Sequence, residues 1–146
     1  MASFAGARAA VAPIIDVINR KPLIDGFSED GDKPTEAVQG NIQFDNVVFA
    51  YPSRPQNLVC KGYNLNLKAG ESTALVGVSG SGKSTVINLL LRFYDPNSGV
   101  VKFDGRDIRS LNIRWLRSQI GYVQYMCSVC SMCAVCVDDR IFQLFA

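Results

Sequence analysis

Gly77-Val78-Ser79-Gly80-Ser81-Gly82-Lys83-Ser84-Thr85 is the stretch whose reading decides the fold. Gly77, Gly82, Lys83 and Ser84 fit the pattern G-x-x-x-x-G-K-[ST] without a gap. Glycines let the backbone curl so that successive N–H groups turn inward on phosphate oxygens. A helix that follows presents unpaired N–H groups and about half a positive charge at its N-terminus. In that reading Ser79, Gly80, Ser81 and Gly82 form the cradle. Lys83 reaches the β- and γ-phosphates, Ser84 ligates Mg²⁺, and Thr85 contacts the α-phosphate region. A glycine-serine turn that merely joined a strand to a helix would have no need of Lys followed by Ser at this offset.

The flanks agree with the loop. Thr73 to Gly77 is short and apolar on both faces, which predicts a buried parallel strand. Val86, Leu89, Leu90 and Phe93 recur at helical spacing up to Tyr94, and Asp95-Pro96-Asn97-Ser98-Gly99 predicts the stop. Upstream, Ile42, Phe44 and Val47-Val48-Phe49 read as a strand ending at the turn Tyr51-Pro52-Ser53-Arg54-Pro55. Leu58 to Leu67 is a second strand. Val100 to Phe103 with the Asp104-Gly105 turn predicts a hairpin. Ile113 to Gln119 reads as a short helix and Ile120 to Val123 as a strand. Residues 2 to about 20 read as a helix with Phe4, Ala7, Val11, Ile14, Ile15 and Ile18 on one face, closed by Lys21-Pro22. Leu23 to Gly40 has the Gly, Asp, Glu, Ser, Lys and Pro content of a solvated linker.

The bulk numbers narrow the class. With 48% hydrophobic and 19% charged residues in 146, the chain has a globular composition and room for one domain. A net charge of +2 without a basic run argues against nucleic acid as a partner. No apolar stretch approaches the roughly 18 residues of a membrane helix, so the chain by itself reads as soluble and intracellular. Histidine is absent, which removes the commonest general base and zinc ligand.

From Asn41 to Val123 the sequence resembles the first half of an ABC-transporter nucleotide-binding domain of the multidrug exporter (P-glycoprotein) type. The resemblance rests on Tyr51-Pro52-Ser53-Arg54-Pro55, on Leu75 to Thr85, on Leu91-Arg92-Phe93-Tyr94-Asp95-Pro96, on Asp104-Gly105-Arg106-Asp107-Ile108, and on Leu116-Arg117 followed by Ile120-Gly121. Ser3 to Ala10 with Ile15-Asp16 resembles the segment that joins the last membrane helix to that domain. The resemblance implies an α/β fold: a partial P-loop NTPase (ABC ATPase) core with an antiparallel β subdomain, preceded by a helix and linker. It divides the chain into a helical connector from a membrane domain (1–22), a linker (23–40), the N-terminal half of the nucleotide-binding domain (41–124) and a Cys-rich tail (125–146). It implies ATP and Mg²⁺ as ligands, with Tyr51 stacking on adenine. The implied partners are a second nucleotide-binding domain and transmembrane domains, at the cytoplasmic face of a membrane. Arg54 reads equally as a nucleotide neighbour and as a solvated loop arginine, while Phe93 and Trp115 read as core.

The resemblance breaks after Val123. The family pattern continues x-Gln-Glu-Pro, its glutamine contacting Mg²⁺ and the attacking water. Register here puts Tyr125 at that position, and Gln124 serves as a metal contact only through a one-residue slip that turns it to the other strand face. No Leu-Ser-Gly-Gly-Gln signature, no apolar strand ending in Asp-Glu and no switch histidine occur in the sequence. The expectation is a chain that binds ATP and turns it over poorly. Its parallel strand is expected to lack a neighbour, making the isolated chain marginal or aggregation-prone. Cys127, Cys130, Cys133 and Cys136 sit in a Cys-, Val-, Met- and Ser-biased run that a GT/TG-rich stretch can encode, which points to intron read-through or a similar truncation. C-x2-C-x2-C-x2-C also resembles an iron–sulfur run but departs in its last gap and lacks the proline; zinc prefers two pairs on a longer span. Two readings thus stand beside the exporter fragment: a hydrolysis-dead short isoform acting as an interaction module, and a metal-binding Cys tail.

Overall fold

The computed structural model describes residues 11, 13–71, 73–78, 80–126, 131–137 and 140–142, those from residue 123 onward by backbone alone. Helix α1 covers residues 13–19 and leaves Ile14, Ile15, Val17 and Ile18 exposed. The strands are β1 (Ile42–Ala50), β2 (Leu58–Leu67), β3 (Ser98–Phe103), β4 (Arg106–Asp107), β5 (Ile120–Met126), β6 (Ser131–Val137) and β7 (Arg140–Phe142). Helix α2 spans Lys83–Leu90 and α3 spans Ile113–Ser118. Among the described residues no helix is long and apolar enough to cross a membrane.

Strands β2-β1-β3-β4 form one antiparallel sheet in that order, and β5-β6-β7 form a second. On β1, Ile42 faces Leu67 and Phe103 across the two ladders, and Phe44 faces Leu65 and Val101. Strict alternation would turn Asn46 inward next. A bulge at Asp45–Val47 absorbs one extra residue instead, so that Ile42, Phe44, Val47 and Phe49 are all buried. Asn46 supplies the bend with a left-handed φ of 47°, and its N–H is accepted by Asn64 Oδ1 at 2.8 Å. Gly99 makes room on the other side: at its φ of 83°, a Cβ would collide with the Asn46 carbonyl oxygen.

Helix α2 lays Val86, Ile87, Leu89 and Leu90 into this core beside Val101, Phe103, Ile108, Leu111 and Leu116. Each such fully buried side chain contributes roughly 1.5–3 kcal/mol. The helix ends earlier than the spacing predicts, with Leu91 as C-cap and Arg92 at a φ of 51°. Arg117 then donates to the carbonyls of Leu91 (2.9 Å) and Arg92 (3.1 Å), placing a cation at the negative helix end. This early stop turns Phe93 out. It is half exposed, with the Arg117 guanidinium 4.8 Å from its ring centroid, and is not the core residue expected. Trp115 does pack on the core, edge-on to Phe103.

Residues 23–40 carry no helix or strand, yet they are tied down. Asp32 bridges Leu111, and the buried Asn112 donates to the carbonyls of Ser28 (3.2 Å) and Asp30 (2.9 Å) while its Oδ1 caps α3 at Trp115 N. At the far end the Asp104 carboxylate accepts the N–H groups of Gln39 (2.9 Å), Gly40 (2.9 Å) and Asn41 (2.7 Å).

One expected element does not form. Residues 73–78 have no strand hydrogen bonding, and Val76 and Val78 are 91% and 79% exposed. A strand is held by its ladder, and no described strand lies beside this one. Strand β5 pairs antiparallel with β6 and belongs to the second sheet. Of the α/β expectation, the described residues show the antiparallel sheet and the helices, and not the parallel strand.

Two outcomes follow from these contacts. Gly99→Ala should cost about 2–4 kcal/mol in urea unfolding, from left-handed strain and backbone collision together. Asp104→Ala should cost about 2–3 kcal/mol and Asp104→Asn roughly half of that, because one acceptor oxygen survives.

Candidate functional site

The loop from Gly77 to Gly82 is shaped by two left-handed glycines, Gly80 (φ 81°) and Gly82 (φ 91°). Gly77 is constrained by proximity, since a Cβ there would meet Ser81 Oγ at 2.7 Å. Ser81 N–H closes the turn on Val78 O at 3.1 Å. Gly82 caps α2 with backbone alone: among the described residues no side chain accepts from the first turn, and no acidic residue stands there. The positive end of the helix is thus left without an anion from its own first turn.

Lys83 folds its ammonium back over the loop, donating to Gly77 O at 2.9 Å and Val78 O at 3.0 Å. Ser84 is exposed, and Thr85 is buried with its hydroxyl 3.0 Å from Tyr51 Oη. Tyr51, at the end of β1, is half-buried. Its ring meets Phe49 and Tyr94 edge-on at 5.0 and 5.2 Å, and Asn88 Nδ2 donates to its hydroxyl at 3.2 Å. Aromatic packing thus anchors Tyr51 on one side. On the other side a cleft of about 660 Å³ runs from Tyr51, Arg54 and Asn57 past Val59 and Lys61 to Gly80 and Ser81. The structure brings Tyr51, Gly80, Ser81, Gly82, Lys83 and Thr85 to one region and adds Arg54 to its wall. Asn57, Lys61 and Asn88 join them without a motif to announce them.

Ser79 lies outside the described residues. Gln124 is described by its backbone only, opposite Cys133 in the β5–β6 ladder. Of the cysteines, Cys127 and Cys130 lie outside the described residues, and the side chains of Cys133 and Cys136 do too. Cys60 is buried in the core, and burial pushes its thiol above the ordinary range, so it stays protonated at neutral pH.

These features suit a polyphosphate ligand. An uncapped helix end, a glycine loop and a lysine supply positive charge and N–H donors, and the adjoining cleft has room for a base and sugar. Loop, helix and cleft together place the chain in the phosphate-loop class. The ABC transporter family descriptor matches residues 60–133, just over half of the chain, and the chain belongs to that family. Among relatives, it is 56% identical over 123 residues to the ABC multidrug transporter MDR1 of Cryptococcus neoformans var. grubii, covering 84% of this chain and 9% of that protein. It is 53% identical over 121 residues to ATP-binding cassette sub-family B member 5 of Homo sapiens, covering 83% of this chain and 10% of that one. It is 50% identical over 123 residues to ABC transporter B family member 1 of Arabidopsis thaliana, covering 84% and 10%. The chain spans about a tenth of the length of these relatives.

The close approach at the loop gives a check on this geometry. A Cβ on Gly82 would lie 2.8 Å from Val59 Cγ1. Gly82→Ala should lower stability by about 1–2 kcal/mol, and pairing it with Val59→Ala should recover the steric part but not the left-handed part. A double-mutant cycle in thermal melts reads the coupling.

Proposed function

We propose that this chain is the ATP-binding portion of an ABC-type multidrug exporter. It holds Mg-ATP between Tyr51 and the Gly77–Thr85 loop, so that the intact parent can couple ATP to transport. The observation that carries this reading is the uncapped N-terminus of α2 with Lys83 lodged on the loop carbonyls, next to a cleft that runs from Gly80 and Ser81 to Tyr51. Lys83 would exchange two carbonyl contacts for phosphate oxygens, a stronger charge-assisted pairing. Ser79, Gly80, Ser81 and Gly82 would supply backbone donors, and Ser84 and Thr85 the hydroxyls. The ring of Tyr51 would carry the base. Mg²⁺ would neutralise phosphate charge from the Ser84 side, with Gln124 as a second contact.

Hydrolysis needs a water held in line and charge compensation around the γ-phosphate. The sequence has no histidine, no Leu-Ser-Gly-Gly-Gln run and no strand-end Asp-Glu to do this. We therefore assign binding to this chain and turnover to a composite with a second nucleotide-binding domain. Residues 1–22 would connect to membrane domains, 23–40 would link, 41–124 would form the nucleotide-binding half, and 125–146 would lie outside it. The multidrug substrates named for the relatives would be selected by membrane helices at whose cytoplasmic face this portion sits.

Titration calorimetry tests the assignment. The unsubstituted chain should bind Mg-ATP without releasing phosphate. Lys83→Ala should weaken binding at least about tenfold while leaving the melting curve nearly unchanged, because its side-chain bonds reach only the loop. Equal affinity in the two proteins would refute the reading.

A further inference from the structure

Two turns in succession hold Arg54. Its N–H donates to Tyr51 O at 2.9 Å, and its carbonyl accepts the N–H of Asn57 at 3.0 Å. Residues 51–54 and 54–57 thus each close a turn, with Pro52 and Pro55 in second place. Proline there presets the torsion such a turn needs, so the rim that offers Arg54 to the cleft is firmly set. On β2, Cys60 turns into the core, while its neighbours Val59 and Lys61 line the cleft. The ladder sets Leu58 opposite Ala50, next to Tyr51, and Lys61 opposite Val48, further from the aromatic. Gly80 and Ser81 of the glycine loop line the same cleft.

Elsewhere on the described surface, cations stand beside carboxylates: Lys102 pairs with Asp45, Arg106 with Glu36 and Arg109 with Asp107. Among the described residues neither Arg54 nor Lys61 has such a partner, and no carboxylate lines the cleft they share. A cleft lined by one sign of charge gathers ligands of the other. We propose that Lys61 is a phosphate-contacting residue of the nucleotide site, forming with Arg54 a cationic wall toward the phosphates that the glycine loop holds. The glycine-loop pattern includes neither residue. This inference rests on the Mg-ATP reading of the site. A lysine on β2 has another use, because β2 is the outermost strand of its sheet and a charge there discourages pairing with other chains. That use needs no ligand, so binding separates the two.

Titrations of the full chain with Mg-ATP provide the test. Lys61→Met keeps the apolar stem and removes the charge, and should weaken binding about three- to tenfold. The loss should shrink at raised salt, which screens exposed charges. Lys61→Arg keeps the charge and should restore most of the affinity. Lys68→Met is the control, removing the same charge outside the cleft. Lys68 follows β2 at its far end, where the N–H of the next residue, Ala69, donates to Asn41 just before β1, whereas Tyr51 follows the other end of β1. Its loss should leave Mg-ATP affinity unchanged.

Equal weakening by Lys61→Met and Lys68→Met would mean that only net charge matters, and would overturn the proposal. Binding by Lys61→Met as tight as that of the unsubstituted chain would leave Lys61 the edge role alone. Should Lys61→Met aggregate, the polar Lys61→Gln takes its place under the same criteria. An unsubstituted chain that binds no Mg-ATP overturns the phosphate-loop reading and the Lys61 contact together. A chain that binds and is weakened by Lys83→Ala but not by loss of the Lys61 charge overturns the Lys61 contact by itself.

Discussion

Strand β1 is hydrogen-bonded along both edges, and the other described features of the site are placed by it. Its pairing with β2 and β3 buries Ile42, Phe44, Val47 and Phe49 on one side. The bulge at Asp45–Val47 keeps that side apolar through a sequence that would otherwise turn Asn46 into the core. Helix α2 packs on the resulting surface. Tyr51, the residue after β1, is delivered to the first turn of α2, and Val59 of β2 is delivered under Gly82. A slip of one residue in β1 would undo all three placements at once, because strand side chains alternate between faces.

Around this sheet, polar groups do the fastening. Asp104 holds the chain entering β1, Asn112 joins residues 28–32 to α3, and Arg117 closes the end of α2. None of the described buried side-chain polar atoms lacks a partner. Charged and amide side chains at these points satisfy backbone groups that helix ends and irregular segments leave over, which is costly to forgo once buried. Asp104 and Arg117 lie in the stretches that carry the likeness to multidrug exporters, and here their side chains fasten backbone.

The phosphate loop itself illustrates what local sequence can determine. Gly80 and Gly82 adopt left-handed torsions because nothing larger does so without strain, and Lys83 follows at the offset that puts its amine over the loop. That arrangement depends on neighbours within nine positions, so it is legible in the residues themselves. Strands β1 and β2, the β3–β4 hairpin and α3 are legible for the same reason, through period-two alternation and turn residues.

What the sequence could not reveal depends on partners distant along the chain. The stretch 73–78 reads as a buried strand by composition, but a strand exists only where another supplies the ladder, and β5 is paired with β6 instead. Phe93 reads as core by spacing and is turned out by the left-handed stop at Arg92. Asn88 carries no motif and meets Tyr51 only because α2 packs across the end of β1. By itself the sequence determined the loop, the local elements and the family. Tertiary structure decided which elements found partners and which side chains reached the cleft, because pairing and packing are long-range while glycine torsions and alternation are local.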